Sequence, residues 1–313
     1  MVKDDGKSRD QRTTGGNGSE EYFLDRLKRR ITLPRGSGLV LGIGDDCAIY
    51  RPRGSTEDLL FTTDLFVENV HFRRETHRPE DAGWKALARG LSDIAAMGGE
   101  PRFCLLSLAL APWTGPRWVD RFYTGLLRHG TPLGGGDLGH ADQLAADIVV
   151  CGAVPRGKAL RRDGARPGDG IYVSGRLGGS TAGLATARGA AWKRHLRPEP
   201  RIALGRFLRE RVRTTAAMDL SDGLSLDLRR LCVASGVAAE IVAPPVYRGA
   251  TLDQALHGGE DYELLFTARG DVPAEFDGIP LTRIGTIRKG RPGDILLDGA
   301  ALPPLGYDHL RTR

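Results

Sequence analysis

The chain reads as a mixed α/β (α+β) protein in two domains. Three observations carry that reading. Short apolar runs alternate with stretches of helical periodicity along 313 residues. Turns bearing glycine and aspartate close many of those runs, and a segment dense in Pro, Gly and charge divides the chain near its middle. At 40% hydrophobic composition the chain is long enough for two ordinary cores without staples.

Taken in order, residues 1–18 are polar and glycine-rich and read as a mobile tail. EEYFLDRLKRRI then places Tyr22, Phe23, Leu27 and Ile31 at helical spacing. GLVLGIGDDCAIY and DLLFTTDLFVENVHF read as neighbouring strands. From Arg78 to Met97 the period returns to helical around Trp84, Leu87, Leu91 and Ile94, a packed face opened by Pro79. A buried strand follows over 103–110, then a helix over 117–128. TPLGGGDLG reads as a glycine loop and DIVVCGAV as a strand. Residues 155–169 form the boundary, separating a 19–154 domain from a 155–313 domain. The second half opens on the strand GIYVSG and a second glycine loop, GRLGGSTAGLATARGA. It continues with a helix at RIALGRFLRERV, the loop-to-helix segment DLSDGLSLDLRRL, and the strand of GGEDYELLFTA.

Composition removes several classes. Cys47, Cys104, Cys151 and Cys232 lie far apart with no C-x-x-C pair, which argues against zinc knuckles and a secretory disulfide framework and fits a reducing, cytoplasmic setting. FCLLSLAL is too short to cross a bilayer, and no membrane segment is expected. The net charge of +6 comes from scattered arginines rather than one basic stripe, so nucleic acid is not the expected partner.

The chemical signal lies in short acidic loops. Asp45 and Asp46 follow GIG, Asp64 ends TTD, Asp93 lies in LSD, Asp137 in GGGD, and Asp219 and Asp222 in DLSDG. One such aspartate is ordinarily a turn or cap residue. Several brought together repel unless cations neutralise them, which points to a hard divalent metal with oxygen ligands. Magnesium bridging a polyphosphate is the economical reading. Thr62, Thr63 and Ser221 add oxygens beside these acids. Neither glycine segment has Walker A or dinucleotide-fingerprint order, so GGGDLG and GRLGGSTAG are read as backbone cradles for an anion or as plain tight turns.

At LGIGDDCAI, TTDLFVENVHF, LSDIAAMG, GGGD, ALRRDGARPGD, DLSDGLSLDL, GGEDYEL and GYDH the chain resembles the thiamine-monophosphate kinase family, within the aminoimidazole-ribonucleotide-synthetase-like superfamily. The match runs in family order from about residue 38 to residue 309. The resemblance implies an N-terminal sheet domain that dimerises and a C-terminal α/β domain. It implies transfer of the ATP γ-phosphoryl group to thiamine monophosphate by direct in-line attack, with no protein nucleophile or obligatory base. Carried over residue by residue, the magnesium ligands are Asp46, Thr62, Thr63, Asp64, Asp93, Asp137, Asp219 and Asp222, with Asp45 beside them. Gly136, Asp137, Arg162 and Ser221 are expected to contact ATP, and His71, Glu260 and Tyr307 the thiamine phosphate. The chain departs from the family pattern at Leu65, at Leu138, Gly139 and His140, and at Pro304, where a tryptophan commonly precedes GYDH. The alternatives are a related ATP-using synthetase of the aminoimidazole ribonucleotide type and a nucleotide-binding regulator without turnover.

Overall fold

The computed structural model describes residues 19–34 and 36–310. The tail expected over 1–18 lies outside the described residues. The described chain divides into two units, one of 19–33 with 308–310 and one of 34–307.

In the smaller unit, α1 (Glu20–Arg30) starts where the Ser19 hydroxyl accepts from the Tyr22 amide at 3.3 Å. The Glu20 amide donates to the Asp308 carboxylate at 3.4 Å. The helical spacing is as expected, with Phe23, Leu27 and Ile31 about half exposed.

The larger unit holds two sheets. The first is built from β1 (Leu39–Leu41), β2 (Ala48–Tyr50), β3 (Glu57–Val67), β4 (Glu100–Leu110), β5 (Leu133–His140) and β6 (Ala145–Pro155), in the order β1-β2-β3-β6-β4-β5. The two strand regions expected to be neighbours pair antiparallel as β2 and β3. Helix α2 (Pro79–Ala96) has proline in its first turn, where no amide partner is lost, and Glu80 and Asp81 complement the helix dipole there. Its Leu87, Leu91 and Ile94 face the core shared with Leu60, Phe66, Leu106 and Ile148 of the sheet. Helix α3 (Pro116–Leu127) adds Phe122 and Leu126 to the same core.

TPLGGGDLG is not a loop: residues 133–140 form β5, hydrogen-bonded parallel to β4. Glycine permits this because β5 approaches closely. A Cβ on Gly136 would fall 1.8 Å from the Leu106 carbonyl oxygen, so only glycine fits that register.

After a single 3-10 turn at 162–164, the second half contains β7 (Gly170–Ser174), α4 (Gly179–Thr186), α5 (Gly189–Leu196), α6 (Ile202–Arg211), β8 (Thr214–Asp219), α7 (Leu224–Ser235), β9 (Ala238–Ile241), α8 (Leu252–His257), β10 (Leu264–Ala268), β11 (Glu275–Phe276), β12 (Ile279–Arg288), β13 (Ile295–Leu297) and β14 (Ala300–Ala301). Its sheet runs β14-β13-β9-β12-β7-β10-β8, with β11 paired to β12. The second glycine segment therefore carries helix α4 and the start of α5 where a loop was expected. Helix α4 is possible because a distant carboxylate, Asp261, accepts from the Gly178 and Ser180 amides at its start.

Leu204 and Leu208 of α6 pack with Ala95 and Ala96 of α2 and with Ala217, Leu264 and Phe266 of the second sheet. That contact sets the C-terminal turn of α2, which carries Asp93, beside the end of β8, which carries Asp219. No helix among the described residues is long and apolar enough to cross a membrane.

Candidate active centre

The meeting point of α2, β8 and the loop before β2 gathers three carboxylates. Asp46, Asp93 and Asp219 each place an oxygen within 4.8 Å of the other two. Each is set by its own element. Asp93 lies one turn before the end of α2 and accepts from the Thr62 hydroxyl of β3 at 2.5 Å. Asp219 is the last residue of β8 and accepts from the Ser92 hydroxyl at 2.7 Å. Asp46 takes both Nε and Nη2 of Arg162, the former at 3.2 Å. Its neighbour Asp45 accepts from the Arg162 backbone amide at 3.1 Å.

Electrostatically the group lacks positive charge. Burial, then the charges of Asp64, Asp219 and Asp46, push the Asp93 carboxyl well above the usual range. Burial, then Asp46, does the same at Asp219. Burial and Asp46 raise Asp45 to about 7 against the pull of Arg162. Arg162 is hydrogen-bonded to Asp46 and Asp45, while Arg89 reaches Asp93 from its pair with Asp64, so the carboxylates outnumber the arginines beside them. The donor set, oxygens from aspartates with threonine and serine hydroxyls beside them, suits a hard divalent cation and offers no soft ligand.

Around this trio the other expected residues fall into distinct places. Asp64 is paired with Arg89 of α2 at 3.1 Å, and Asp222 with Arg230 of α7 at 2.5 Å. Thr63, next to Thr62 in β3, faces the opposite side of the sheet, where its hydroxyl donates to Asp147 of β6 at 2.5 Å. Asp147 is level with Ser107 of β4, and Ser107 with Asp137 of β5. Side chains of register partners share a face, so Thr63, Asp147 and Asp137 form a second oxygen row across the exposed face. Asp137 is therefore not part of the trio; its carboxylate accepts from the Leu138 amide at 2.9 Å.

Ser221 and Asp222 form the turn between β8 and α7. Gly223 follows at φ +110°, and a Cβ there would fall 2.8 Å from the His257 carbonyl group. The turn is tied from inside: the Asp222 and Gly223 amides both donate to Asp227 at 3.0 Å.

Glu260 and Tyr307 are both tied to the turn of Ser221 and Asp222. The Ser221 carbonyl accepts from the Glu260 amide at 2.7 Å, and the Asp222 carbonyl from the Tyr307 amide at 2.9 Å. Glu260 sits in the left-handed region at φ +65°, a conformation that costs a non-glycine residue roughly 1–2 kcal/mol. His71 follows β3, its Nδ1 accepting from the Val67 amide at 2.9 Å.

The cradle reading of the second glycine segment does not hold. Its helix-start amides are already occupied by Asp261. Sequence reasoning passed over Asp147, Asp227, Arg89 and Lys85. Asp147 opens an apolar strand and looks like an ordinary strand-edge acid. Asp227 is three residues past Leu224 in a helical pattern, where an acidic first turn is unremarkable.

Comparison with known proteins gives the same result from several directions. The family model described as AIR synthase related protein, N-terminal domain, matches residues 44–154. The thiamine-monophosphate kinase of Escherichia coli strain K12 is 40% identical, over 87% of this chain and 92% of its own. That of Bacillus subtilis strain 168 is 34% identical, over 88% and 95%. A solved structure of AaThiL complexed with AMPPCP and TMP superposes with a TM-score of 0.81 at 33% identity, covering 93% of this chain and 97% of that one.

Proposed function

The chain belongs to the thiamine-monophosphate kinase family of the aminoimidazole-ribonucleotide-synthetase-like superfamily, and from that premise we propose how its residues divide the work. The activity is ATP-dependent phosphorylation of thiamine monophosphate to thiamine diphosphate. The observation that carries the assignment of residues is the close-set trio Asp46, Asp93 and Asp219, three carboxylates with one arginine, Arg162, hydrogen-bonded to them.

Asp46, Asp93 and Asp219, with the Thr62 hydroxyl, are the seat of one magnesium group. Asp45, Asp64 and Asp222 flank it, and Thr63 and Asp137 belong to a second group on the exposed face of the first sheet. Magnesium held at these positions supplies charge neutralisation for the phosphoryl oxygens during transfer. Gly136, Asp137, Arg162 and Ser221 bind the nucleotide. Gly136 does so by allowing β5 to lie close to β4, and Arg162 by its planar guanidinium, which grips phosphate or carboxylate oxygens in pairs. His71, Glu260 and Tyr307 hold the acceptor, and Tyr307 offers a ring where Pro304 stands in place of the usual tryptophan. The acceptor phosphate attacks the γ-phosphorus in line, so the protein's task is to position two anions and screen their repulsion.

The division into a 19–154 domain for ATP, magnesium and dimerisation and a 155–313 domain is supported by the family model ending at residue 154. A homodimer through the first sheet is supported by Leu65, Phe103 and Leu105, exposed on one face of it. A cytoplasmic setting fits four buried free thiols.

The test is a mass-resolved assay with ATP, magnesium and thiamine monophosphate, run beside Asp46→Ala. Thiamine diphosphate formed in step with ADP, and lost in the variant, is the expected result. ATP bound without thiamine diphosphate would remove the acceptor assignment and turn attention to Leu138 and Pro304.

A further inference from the structure

One buried cation touches two of the groups assigned above to the acceptor. Lys85 of α2 has no solvent-exposed side-chain surface, and its Nζ lies 2.8 Å from Glu260 Oε1. The same ammonium donates to the His71 backbone carbonyl at 3.0 Å. It thereby links the segment after β3 to the loop before β10, which belong to different halves of the chain.

The remaining neighbours identify Lys85 as the charge partner. His195 Nε2 lies 3.4 Å from Lys85 Nζ, and its Nδ1 is 2.9 Å from the Ser180 hydroxyl and 3.4 Å from Glu260 Oε2. Burial, then the Lys85 charge, pushes His195 down to about 2, and burial with the same charge pushes His77 down to about 4. With both imidazoles held toward the neutral form, Lys85 is the cation in direct contact with Glu260, and the Arg89 guanidinium adds positive charge to the same surroundings. Burial draws Lys85 itself downward, and Glu260 resists that. His195 is further fixed by stacking on Trp192 at 5.1 Å. Glu260 keeps a quarter of its side chain exposed. Its left-handed backbone needs an external anchor to persist.

We propose that Lys85 is a positioning residue for acceptor binding: its ammonium fixes the Glu260 carboxylate and the His71 backbone in one geometry, and so sets affinity for thiamine monophosphate without touching the nucleotide. This rests on the kinase reading above.

The experiment is a calorimetric titration of thiamine monophosphate into protein saturated with magnesium and AMPPCP, with KM and kcat measured in parallel. It compares wild type, Lys85→Met, Lys85→Arg, Glu260→Gln and the Lys85→Met/Glu260→Gln double variant. Lys85→Met is expected to weaken acceptor binding, and to raise its KM, by at least about tenfold, with AMPPCP affinity unchanged. Lys85→Arg should recover part of the loss. The double variant should match Glu260→Gln alone, because the two residues act as one unit.

A folded Lys85→Met with wild-type acceptor affinity would overturn the proposal, as would losses that multiply in the double variant. If Lys85→Met does not fold, the cycle is closed with Lys85→Arg and Lys85→Arg/Glu260→Gln. A Lys85→Arg effect that vanishes once Glu260→Gln is also present supports the proposal, and one that is absent or persists unchanged overturns it. Wild type that binds AMPPCP but no thiamine monophosphate would overturn the kinase reading and this inference together, whereas wild type that binds both upholds that reading and lets the variants decide the role of Lys85 alone.

Discussion

Glu263 and the trio Asp46, Asp93 and Asp219 lie within one unit of this molecule and have opposite electrostatics. Glu263 is fully buried, but Arg201 and Arg194 grip it at 2.5 and 2.8 Å and the Ser174 hydroxyl donates to it. Burial would raise its carboxyl, yet the hydrogen bonds and charge of Arg201, then Arg194, hold it below the usual range. Of Asp46, Asp93 and Asp219, Arg162 grips Asp46 and its charge reaches Asp219, yet Asp93 and Asp219 are forced well above theirs. The first group is complete within the fold. The second is left short of positive charge, the pattern expected of a cation site as opposed to a structural network.

The comparison breaks most visibly at Glu263. Glu263→Ala leaves Arg201 without its counterion and Arg194 with only the longer pair to Asp261, and should destabilise the protein by about 3–5 kcal/mol, read as a lowered urea midpoint. Asp219→Asn should do the reverse. It relieves repulsion, so stability without magnesium stays level or rises, while turnover falls by roughly 100- to 1000-fold. Equal destabilisation by both substitutions would erase the distinction drawn here.

Magnesium addition gives a smaller effect of the same kind. A cation binding only the folded trio should stabilise wild type by about 2.7 kcal/mol at one hundred times its dissociation constant, seen as a rise in Tm that Asp219→Asn lacks. Gly136→Ala pushes β5 off β4 and should cost about 1–3 kcal/mol, with weaker nucleotide binding than the stability loss explains. The smallest lever is acid. With its folded pKa below the unfolded value of about 4.3, Glu263 contributes stability above that pH and loses it as pH falls through the folded value. An acid limb that does not move in Glu263→Gln would contradict that sign.

Much of this was legible in the chain. Helical spacing located α2 and α6, and the acidic turns named every member of the trio. What sequence periodicity missed was decided by distant partners. Residues 133–140 look like a loop because glycine is a poor strand former, and only the Leu106 carbonyl explains why it is required. The helix α4 is capped by Asp261, more than eighty residues away. In the sequence Asp261 and Glu263 resemble Asp219 and Asp222, since each pair lies in a short acidic turn near an apolar strand. The arginines that separate their roles come from α5 and from the residue before α6. Lys85 was invisible for the same reason: on a helix it reads as a solvated charge, and its burial depends on elements from both halves.

The measurement that bears most directly on the central claim is a magnesium titration by calorimetry in the presence of AMPPCP, comparing wild type with Asp93→Asn. We predict that the variant keeps its fold and its stability but loses at least one bound magnesium or most of its affinity. Identical stoichiometry and affinity in the two proteins would show that the trio is not the cation seat.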